Sequence, residues 1–180
     1  MVNNIGVKRR KFSDLSWWEI ILVSVVVSAI GGLASGRSSN RRQKLYDEKL
    51  EQAPWAPPPS VFAPVWIINN FFLLLALQRL VKSTRRGKKR LMLLQMAIWA
   101  IFFSFGYVYF NKKSPVLAAI WTLSDMGLVI TSFVLAYRYD KKIAYHYLPL
   151  LAWTPFAGSL AGYQALKNPD PLLKTKALLN

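Results

Sequence analysis

The chain has 180 residues, of which 53% are hydrophobic, and its 24 Lys and Arg against 8 Asp and Glu give a formal net charge of +16. The hydrophobic residues fall in long blocks, which is typical of membrane proteins. The basic residues lie mainly between the blocks, as topology signals and headgroup contacts do, and this argues against a nucleic-acid partner. The absence of cysteine and the single His146 exclude disulfides, a thiolate nucleophile and a sulfur-ligated or histidine-rich metal site.

The first apolar block covers residues 17–36 and follows a basic N-terminal segment. It can cross the roughly 30 Å hydrocarbon layer and is longer than the apolar region of a signal peptide, so we interpret it as a retained membrane helix. Small residues recur at every fourth position, which favours close approach of another helix, either within the bundle or in a dimer. These helix-packing residues are Ser24, Ser28, Gly32 and Gly36.

Residues 37–59 form a polar loop that ends in three consecutive prolines. The prolines at 57–59 fix φ and remove backbone donors, so this part is predicted to be stiff and extended. Ser60 is predicted to cap the next helix, whose first turns tolerate Pro64. A rigid segment that begins at Trp55 therefore leads directly into the second membrane helix.

Four further apolar blocks follow, and with the first they predict an all-α integral membrane protein, a five-transmembrane-helix bundle forming one domain over residues 1–180. The second block contains Asn69, Asn70 and Gln78, which are costly against lipid and should therefore face other helices. Lys and Arg counted in alternate loops slightly favour a cytoplasmic N-terminus, with the proline segment on the other side. The four blocks cover residues 60–81, 91–110, 116–137 and 143–166.

Asp125 lies deep in the fourth apolar block. A charged and unpaired carboxylate is costly there, so the side chain is neutral, paired, or next to a wet cavity. Two interpretations remain open: a ligand-facing acceptor or proton site, and an interhelical hydrogen bond to an Asn or Gln. No second carboxylate lies at a useful spacing, so paired acid–base hydrolysis has no support.

The aromatic residues also allow two interpretations. Trp17 and Trp18 suit interfacial anchors, whereas Trp99, Trp121 and Trp153 lie inside apolar blocks. For these three, tight helix packing and the walls of a pocket for a flat apolar ligand are equally compatible with the sequence. His146, at the start of the last block between two tyrosines, is favoured as an interfacial residue over a haem ligand.

A short pattern proposed for cholesterol contact occurs twice in the chain, and it is therefore a weak indicator. One copy is formed by Leu160, Tyr163 and Lys167, and the other by Val134, Tyr137 and Lys141.

Several motifs resemble those of the translocator protein family, also called the tryptophan-rich sensory protein (TspO/MBR) or peripheral benzodiazepine receptor family. Their order and spacing agree from about residue 20 to residue 168. The loop and second-helix motif comprises Tyr46-Asp47 and Trp55-x-Pro57-Pro58-x-x-Val61-Phe62-x-Pro64-Val65-Trp66. The later motifs are Trp99 with Phe102-Phe103, Asp125, and Pro149-x-Leu151-Ala152-Trp153-x-x-Phe156.

The resemblance implies a five-helix bundle, commonly dimeric, with a pocket beneath the first loop for porphyrins, sterols or benzodiazepine-type ligands. The proline segment would form the lid. The implied ligand-binding positions are Tyr46, Trp55, Trp66, Met96, Trp99, Asp125, Leu150, Trp153 and Phe156. Four residues depart from the family pattern, and each removes a polar or aromatic ligand contact, which disfavours porphyrin breakdown. They are Leu45 at a frequent Trp position, Met96 and Ala161 at Asn positions, and Leu150 at a Tyr position.

The leading hypothesis is a non-enzymatic membrane binding protein or carrier, with a regulatory or sensory role, for a flat hydrophobic molecule such as a tetrapyrrole (porphyrin) or a sterol. It requires no cofactor, although a porphyrin can be its bound ligand. The alternatives are a photochemical porphyrin-degrading enzyme, and an accessory or structural subunit of a membrane complex that keeps the fold without binding porphyrin. The expected partners are the lipid bilayer, the small molecule, and a second copy or another membrane protein. A bacterial cell membrane is favoured over the mitochondrial outer membrane.

Overall fold

The structure is a computed structural model, and it describes residues 11–34, 49–84 and 86–179. Within these ranges the fold is all-helical, and the only β-type pairing is an isolated bridge between Asp170 and Thr175. Short 3-10 turns cover Phe12–Asp14 and Pro59–Val61, and a π-helical turn, Tyr107–Asn111, extends the third helix. The α-helices are α1 (Trp17–Ala34), α2 (Phe62–Lys82), α3 (Lys88–Gly106), α4 (Pro115–Tyr139), α5 (Lys141–Tyr145) and α6 (Leu148–Lys167).

Three helical segments are long and apolar enough to cross a membrane: Pro59–Lys82, Lys88–Asn111 and Pro115–Tyr139. The first helix is also apolar, but its apolar part, Trp17–Leu33, is shorter. These helices identify an integral membrane protein whose environment is a lipid bilayer. The all-helical prediction is thus confirmed, whereas the count of five spans stays a prediction, because the less apolar α6 is not among these segments.

The long helices alternate in direction, so the bundle has two ends. At one end, Gln78 Nε2 donates to the Leu15 carbonyl at 2.7 Å, and Arg79 Nε donates to His146 Nε2 at 2.8 Å. These bonds join the start of α1 and the start of α6 to the end of α2. The opposite end, which carries residues 49–59, is called the lid end. We call the first one the basic end, after Arg79, Lys82, Arg86, Lys88, Lys89, Arg90, Arg138, Lys141 and Lys142.

The core lies where α2, α3, α4 and α6 meet, and α4 packs most extensively against α6. It includes a polar connection, because the buried Tyr147 hydroxyl donates to Gln95 Oε1 at 3.1 Å and Gln95 Nε2 donates to the Leu73 carbonyl. Hydrogen bonds of this kind satisfy polar groups that would otherwise be costly in the interior. The other large core residues are Leu80, Leu91, Ile98, Val129, Ile143 and Leu150.

The proline segment enters α2 without the predicted serine cap. Pro58 is extended, with φ −53° and ψ 144°, as predicted for this stretch. Ser60 lies inside the 3-10 turn, and α2 begins at Phe62 without a side-chain cap hydrogen bond. The predicted cap is therefore wrong: a capping residue needs an extended backbone, and Ser60 is already in a helical turn. Pro64 falls in the first turn of α2, where its missing N–H is tolerated.

The fifth apolar block forms two helices rather than one. The short α5 ends at Tyr145, and α6 begins at Leu148, so the predicted span 143–166 shifts to Leu148–Lys167. Pro149 explains the break, because in a continuous helix its ring would clash with the carbonyl of Tyr145, four residues earlier. His146 consequently lies between two helices, just before the last one.

The C-terminal tail folds back onto the lid end through Asp170. The Ser114 hydroxyl donates to this carboxylate at 2.5 Å, and the N–H of Val116 donates to it at 3.1 Å. The N–H groups of Leu172 and Leu173 donate to its other oxygen at 2.9 and 2.8 Å. Burial acts to raise the pKa of Asp170, but these hydrogen bonds outweigh it and hold the pKa below its ordinary value.

Candidate functional site

Aromatic side chains from three helices form two contacting groups near the lid end. Phe62 of α2 meets Trp153 of α6 edge to face, with ring centroids 5.5 Å apart. Trp153 lies 5.5 Å from Phe156, and Trp66 lies 4.7 Å from Phe102 of α3. Phe62 and Trp66 are one turn apart on the same face of α2, so the α6 rings and the α3 ring lie on the same side of that helix. We call these five residues the aromatic cluster.

Two of the interior tryptophans have their indole N–H groups occupied by neighbouring helices. Trp99 Nε1 donates to Asn70 Oδ1 at 3.2 Å, and Trp121 Nε1 donates to Ser104 Oγ at 2.9 Å. Asn70 Nδ2 donates in turn to Ser28 Oγ at 3.0 Å, which links α3, α2 and α1. These hydrogen bonds agree with the helix-packing interpretation of Trp99 and Trp121. The prediction that the polar residues of α2 face other helices is confirmed for Asn70.

The small-residue face of α1 meets α2 and α3. Ser24 is fully buried, Gly32 is half-buried, and Gly36 lies outside the described residues. The closest approach is at Gly31, which the four-residue pattern missed, because a Cβ added there would lie 2.5 Å from Phe102 Cζ. The adjacent glycines 31 and 32 were the sequence signal for this contact. The α1 backbone thus lies directly against one ring of the aromatic cluster.

Two buried polar atoms, one on α4 and one on α6, have no hydrogen-bond partner among the described residues. Asp125 is 4% exposed, and neither its Oδ1 nor Thr154 Oγ1 has a hydrogen-bond partner among the described residues. Asp125 Oδ1 therefore does not form the interhelical hydrogen bond to an Asn or Gln that was one of the two interpretations of this residue. Leu123 packs at Gly158 across this antiparallel interface. Asp125 follows Leu123 by two residues, and Thr154 precedes Gly158 by four. Because the helices are antiparallel and rise about 1.5 Å per residue, both lie on the same side of that contact, and their heights along the helix axis differ by about 3 Å.

The loop before the proline segment is fastened to the end of α6. The Glu51 N–H donates to Asn168 Oδ1 at 2.7 Å, and Asn168 Nδ2 donates back to the Glu51 carbonyl at 3.0 Å. The Tyr163 hydroxyl donates to the Glu51 carboxylate at 2.8 Å, and Lys167 Nζ lies 3.9 Å from the same oxygen. We call these four residues the lid latch. The bond from Tyr163 to the Glu51 carboxylate involves a charged acceptor, and such bonds are stronger than those between neutral groups.

Trp55 lies beside the lid latch rather than over the aromatic cluster. Its ring meets Tyr163 edge to face with centroids 5.3 Å apart, and its Nε1 donates to Ser159 Oγ at 3.1 Å. Half of its surface remains exposed. A neighbouring contact joins Gln164 Nε2 to Gln52 Oε1. The structure therefore places Trp55 against the outer edge of α6, where it closes the lid end.

The remaining predicted ligand positions are dispersed. Met96 is 63% exposed on α3, because it is turned about 100° from its fully buried neighbour Gln95. Leu150 is 1% exposed and belongs to the core, and Tyr46 lies outside the described residues. Of the nine positions, the structure brings Trp66, Trp153 and Phe156 into the aromatic cluster, while Trp99 is half-buried on α3 and Asp125 is buried on α4.

The cholesterol-type pattern on α6 does not present a common face to lipid. Leu160 is buried, while Tyr163 and Lys167 both contact Glu51 in the lid latch. The sequence analysis missed the residues that hold these contacts, Glu51 and Asn168, because their partners are more than a hundred positions away along the chain. Among the described residues, no three acidic or histidine side chains are grouped to hold a metal ion.

The comparison with protein families gives a match that covers most of the chain. The sequence profile of the TspO/MBR family matches residues 20–166, which include the proline segment, the aromatic cluster and Asp125. A search of curated protein sequences found no match. The family match agrees with the apolar helices, and it indicates a membrane protein related to sterols or porphyrins at the family level. The chain belongs to the TspO/MBR family.

Proposed function

We propose that the protein is a five-span membrane protein that binds a flat hydrophobic molecule, a tetrapyrrole or a sterol, without transforming it. The spans are α1, α2, α3, α4 and α6. The observation that carries the proposal is the aromatic cluster, which brings rings from three helices together close to the lid latch. Flat apolar ligands bind between such rings, with a few polar groups fixing their orientation.

Ligand entry in this proposal requires two movements. The cluster rings contact one another, so a flat ligand replaces ring contacts, above all the one between Phe62 and Trp153. The lid latch must also release, because Glu51 holds the loop before the proline segment against the end of α6. Once inside, the ligand can donate a hydrogen bond to the unpaired Asp125, which has no partner at Oδ1 among the described residues.

The test is quenching of tryptophan fluorescence by protoporphyrin in detergent, measured as an affinity rather than an amplitude. We expect saturable quenching, with an affinity lowered about tenfold by Trp153→Ala, since the loss of one ring contact costs about 1.4 kcal/mol. Trp18→Ala is the matched control, because Trp18 is exposed and contacts only Trp17 among the aromatic residues described. Absence of saturation, or equal affinity in the Trp153 variant, overturns the proposal. A sterol that competes with the porphyrin would place both ligand classes at this site.

A second candidate function is an accessory or structural subunit that has kept the fold. Leu93 and Met96 are the observation in its favour, because both expose most of their surface on one side of α3, where another membrane protein could pack. Mild purification from native membranes distinguishes the two functions. Co-purification of a stoichiometric membrane partner supports the subunit role, and a lone homodimer in every fraction speaks against it.

Photochemical porphyrin degradation is the catalytic alternative, and our proposal does not include it. Illumination of the porphyrin complex tests the point: bleaching at the same rate without the protein excludes catalysis, and protein-dependent turnover establishes it. The proposed location is a bacterial cell membrane with the basic end in the cytoplasm, in keeping with the many cations there. Labelling a Lys89→Cys variant with a membrane-impermeant maleimide in whole and lysed cells measures that orientation.

A further inference from the structure

The outer face of α4 carries a groove that the proposed ligand site does not use. It encloses about 290 Å³ and is lined by Ile130, Thr131, Val134, Leu135 and Arg138. Ile130 and Val134 each expose more than two-fifths of their surface, so the groove opens away from the bundle. On a membrane-spanning helix, a face of this kind lies against lipid acyl chains. The groove thus consists of aliphatic walls with a single guanidinium at its end.

Beyond the groove, the face of α4 stays open towards the lid end. A Cβ added at Gly127 would meet no atom within 4 Å, so the surface stays open one turn beyond Thr131. Thr131 Oγ1 donates to the Gly127 carbonyl at 2.7 Å, which satisfies the hydroxyl within the helix. From Gly127 to Arg138 the helix rises about 16 Å, which is close to the thickness of one leaflet of hydrocarbon, about 15 Å. One acyl chain therefore matches the combined length of the groove and the open face at Gly127.

Positive charge surrounds the basic end of the groove. Arg138 has no carboxylate within 4 Å among the described residues, and Lys141 Nζ lies 5.1 Å from the centre of the Tyr137 ring. Lys142 follows directly in the sequence. The nearest carboxylate in the sequence, Asp140, accepts a hydrogen bond from the Lys142 N–H at 2.9 Å and so caps α5. Arg138, Lys141 and Lys142 thus lie near a single carboxylate in the sequence, which already accepts a hydrogen bond.

We propose that this groove binds an anionic phospholipid, with one acyl chain along Gly127, Ile130 and Val134 and the headgroup phosphate on Arg138. Arginine is suited to phosphate because its planar fork donates two parallel hydrogen bonds. A second copy of the chain fits less well. Twofold packing on this face would bring the partner's Arg138 towards the same charge, which is repulsive. The site is on the outside of the bundle and is independent of the proposed ligand site.

The cysteine-free chain allows a direct test with a single labelled cysteine. The protein carrying Thr131→Cys is labelled with a bimane fluorophore and reconstituted into phosphatidylcholine vesicles. Phosphatidylglycerol or additional phosphatidylcholine, each with brominated acyl chains, is then titrated in. We expect brominated phosphatidylglycerol to quench at lower mole fraction than brominated phosphatidylcholine. An Ile120→Cys label, exposed nearer the lid end of the same helix and two turns beyond Gly127, should show equal quenching by both lipids.

Arg138→Gln in the labelled protein should lower the preference for phosphatidylglycerol about fivefold, as expected for one basic residue at a membrane surface. Arg86→Gln is the matched control, because it removes the same charge at the same end but lies outside the groove, and it should leave the preference unchanged. Equal quenching by the two lipids at position 131 would show that only bulk lipid contacts this face, which overturns the proposal. Disulfide-linked dimers of the unlabelled Thr131→Cys variant would assign the face to a second copy and overturn it as well.

Discussion

Gly31→Ala tests the contact between α1 and the aromatic cluster. The added Cβ would lie 2.5 and 2.6 Å from Phe102 Cζ and Cε1, where ordinary contacts are 3.4–4 Å. The ring must therefore retreat by about 1 Å, but Trp66 and Phe103 hold it at centroid distances of 4.7 and 5.1 Å. Overpacking of this kind costs about 1–3 kcal/mol, while Gly→Ala inside a helix contributes about 1 kcal/mol of stability.

Gly162→Ala is the matched control, because a Cβ at Gly162 in α6 meets nothing within 4 Å. The two variants receive the same helix-propensity gain, so their difference isolates the overpacking cost. At about 2–4 °C per kcal/mol, Gly31→Ala should unfold about 2–12 °C below Gly162→Ala. Thermal unfolding in detergent, followed by tryptophan fluorescence, measures this difference. Equal melting temperatures would refute the close contact, and Phe102→Leu added to Gly31→Ala should recover part of the loss.

Three further predictions concern other contacts. Tyr147→Phe leaves Gln95 Oε1 unpaired in the core and should destabilise the fold by about 1–3 kcal/mol in thermal unfolding; no change would show that Gln95 is satisfied otherwise. Asn168→Ala removes both backbone bonds of the lid latch and should speed protoporphyrin exchange in stopped-flow fluorescence, and an unaltered rate would count against release of the latch as a step in entry. Burial and the charge of Arg79 lower the pKa of His146 from 6.5, against a smaller opposing effect of a nearby carboxylate. The stabilisation that neutral His146 contributes to the folded protein is complete above pH 6.5. It is lost as the pH falls from 6.5 towards the lower pKa of His146 in the folded state. His146→Gln should flatten this slope between about pH 7 and 5 in unfolding experiments, whereas an identical slope would assign it to other groups.

The sequence predicts the helices well because their signal is local. Long apolar blocks leave a membrane-embedded backbone few options other than helix, and a polar side chain such as Asn70 then has to face another helix. The helix boundaries were less predictable. Pro149 was a readable signal for the break before α6, whereas Ser60 suggested a cap that the proline turn makes unnecessary.

The candidate site is harder to predict because it depends on contacts between distant parts of the chain. One partner of Glu51 is Tyr163, 112 positions away, and no local periodicity specifies that pair. The cholesterol-type pattern on α6 is similarly misleading, because Tyr163 and Lys167 contact Glu51 in the loop instead of lipid. Unpaired Asp125 could be recognised as unusual from sequence, but only the packing of α4 on α6 shows that its Oδ1 has no partner among the described residues.

The C-terminal tail connects the separate segments of the lid end to one another. Asp170 joins the turn before α4 to the segment after α6, and Asn168, two residues earlier, holds the lid latch. A displacement of the end of α6 that frees the lid must therefore pull on the first turn of α4, the helix that carries Asp125. Under the proposed entry step, the loop at Glu51, the end of α6 and the first turn of α4 should therefore move together, and amide hydrogen exchange at these three segments should rise together.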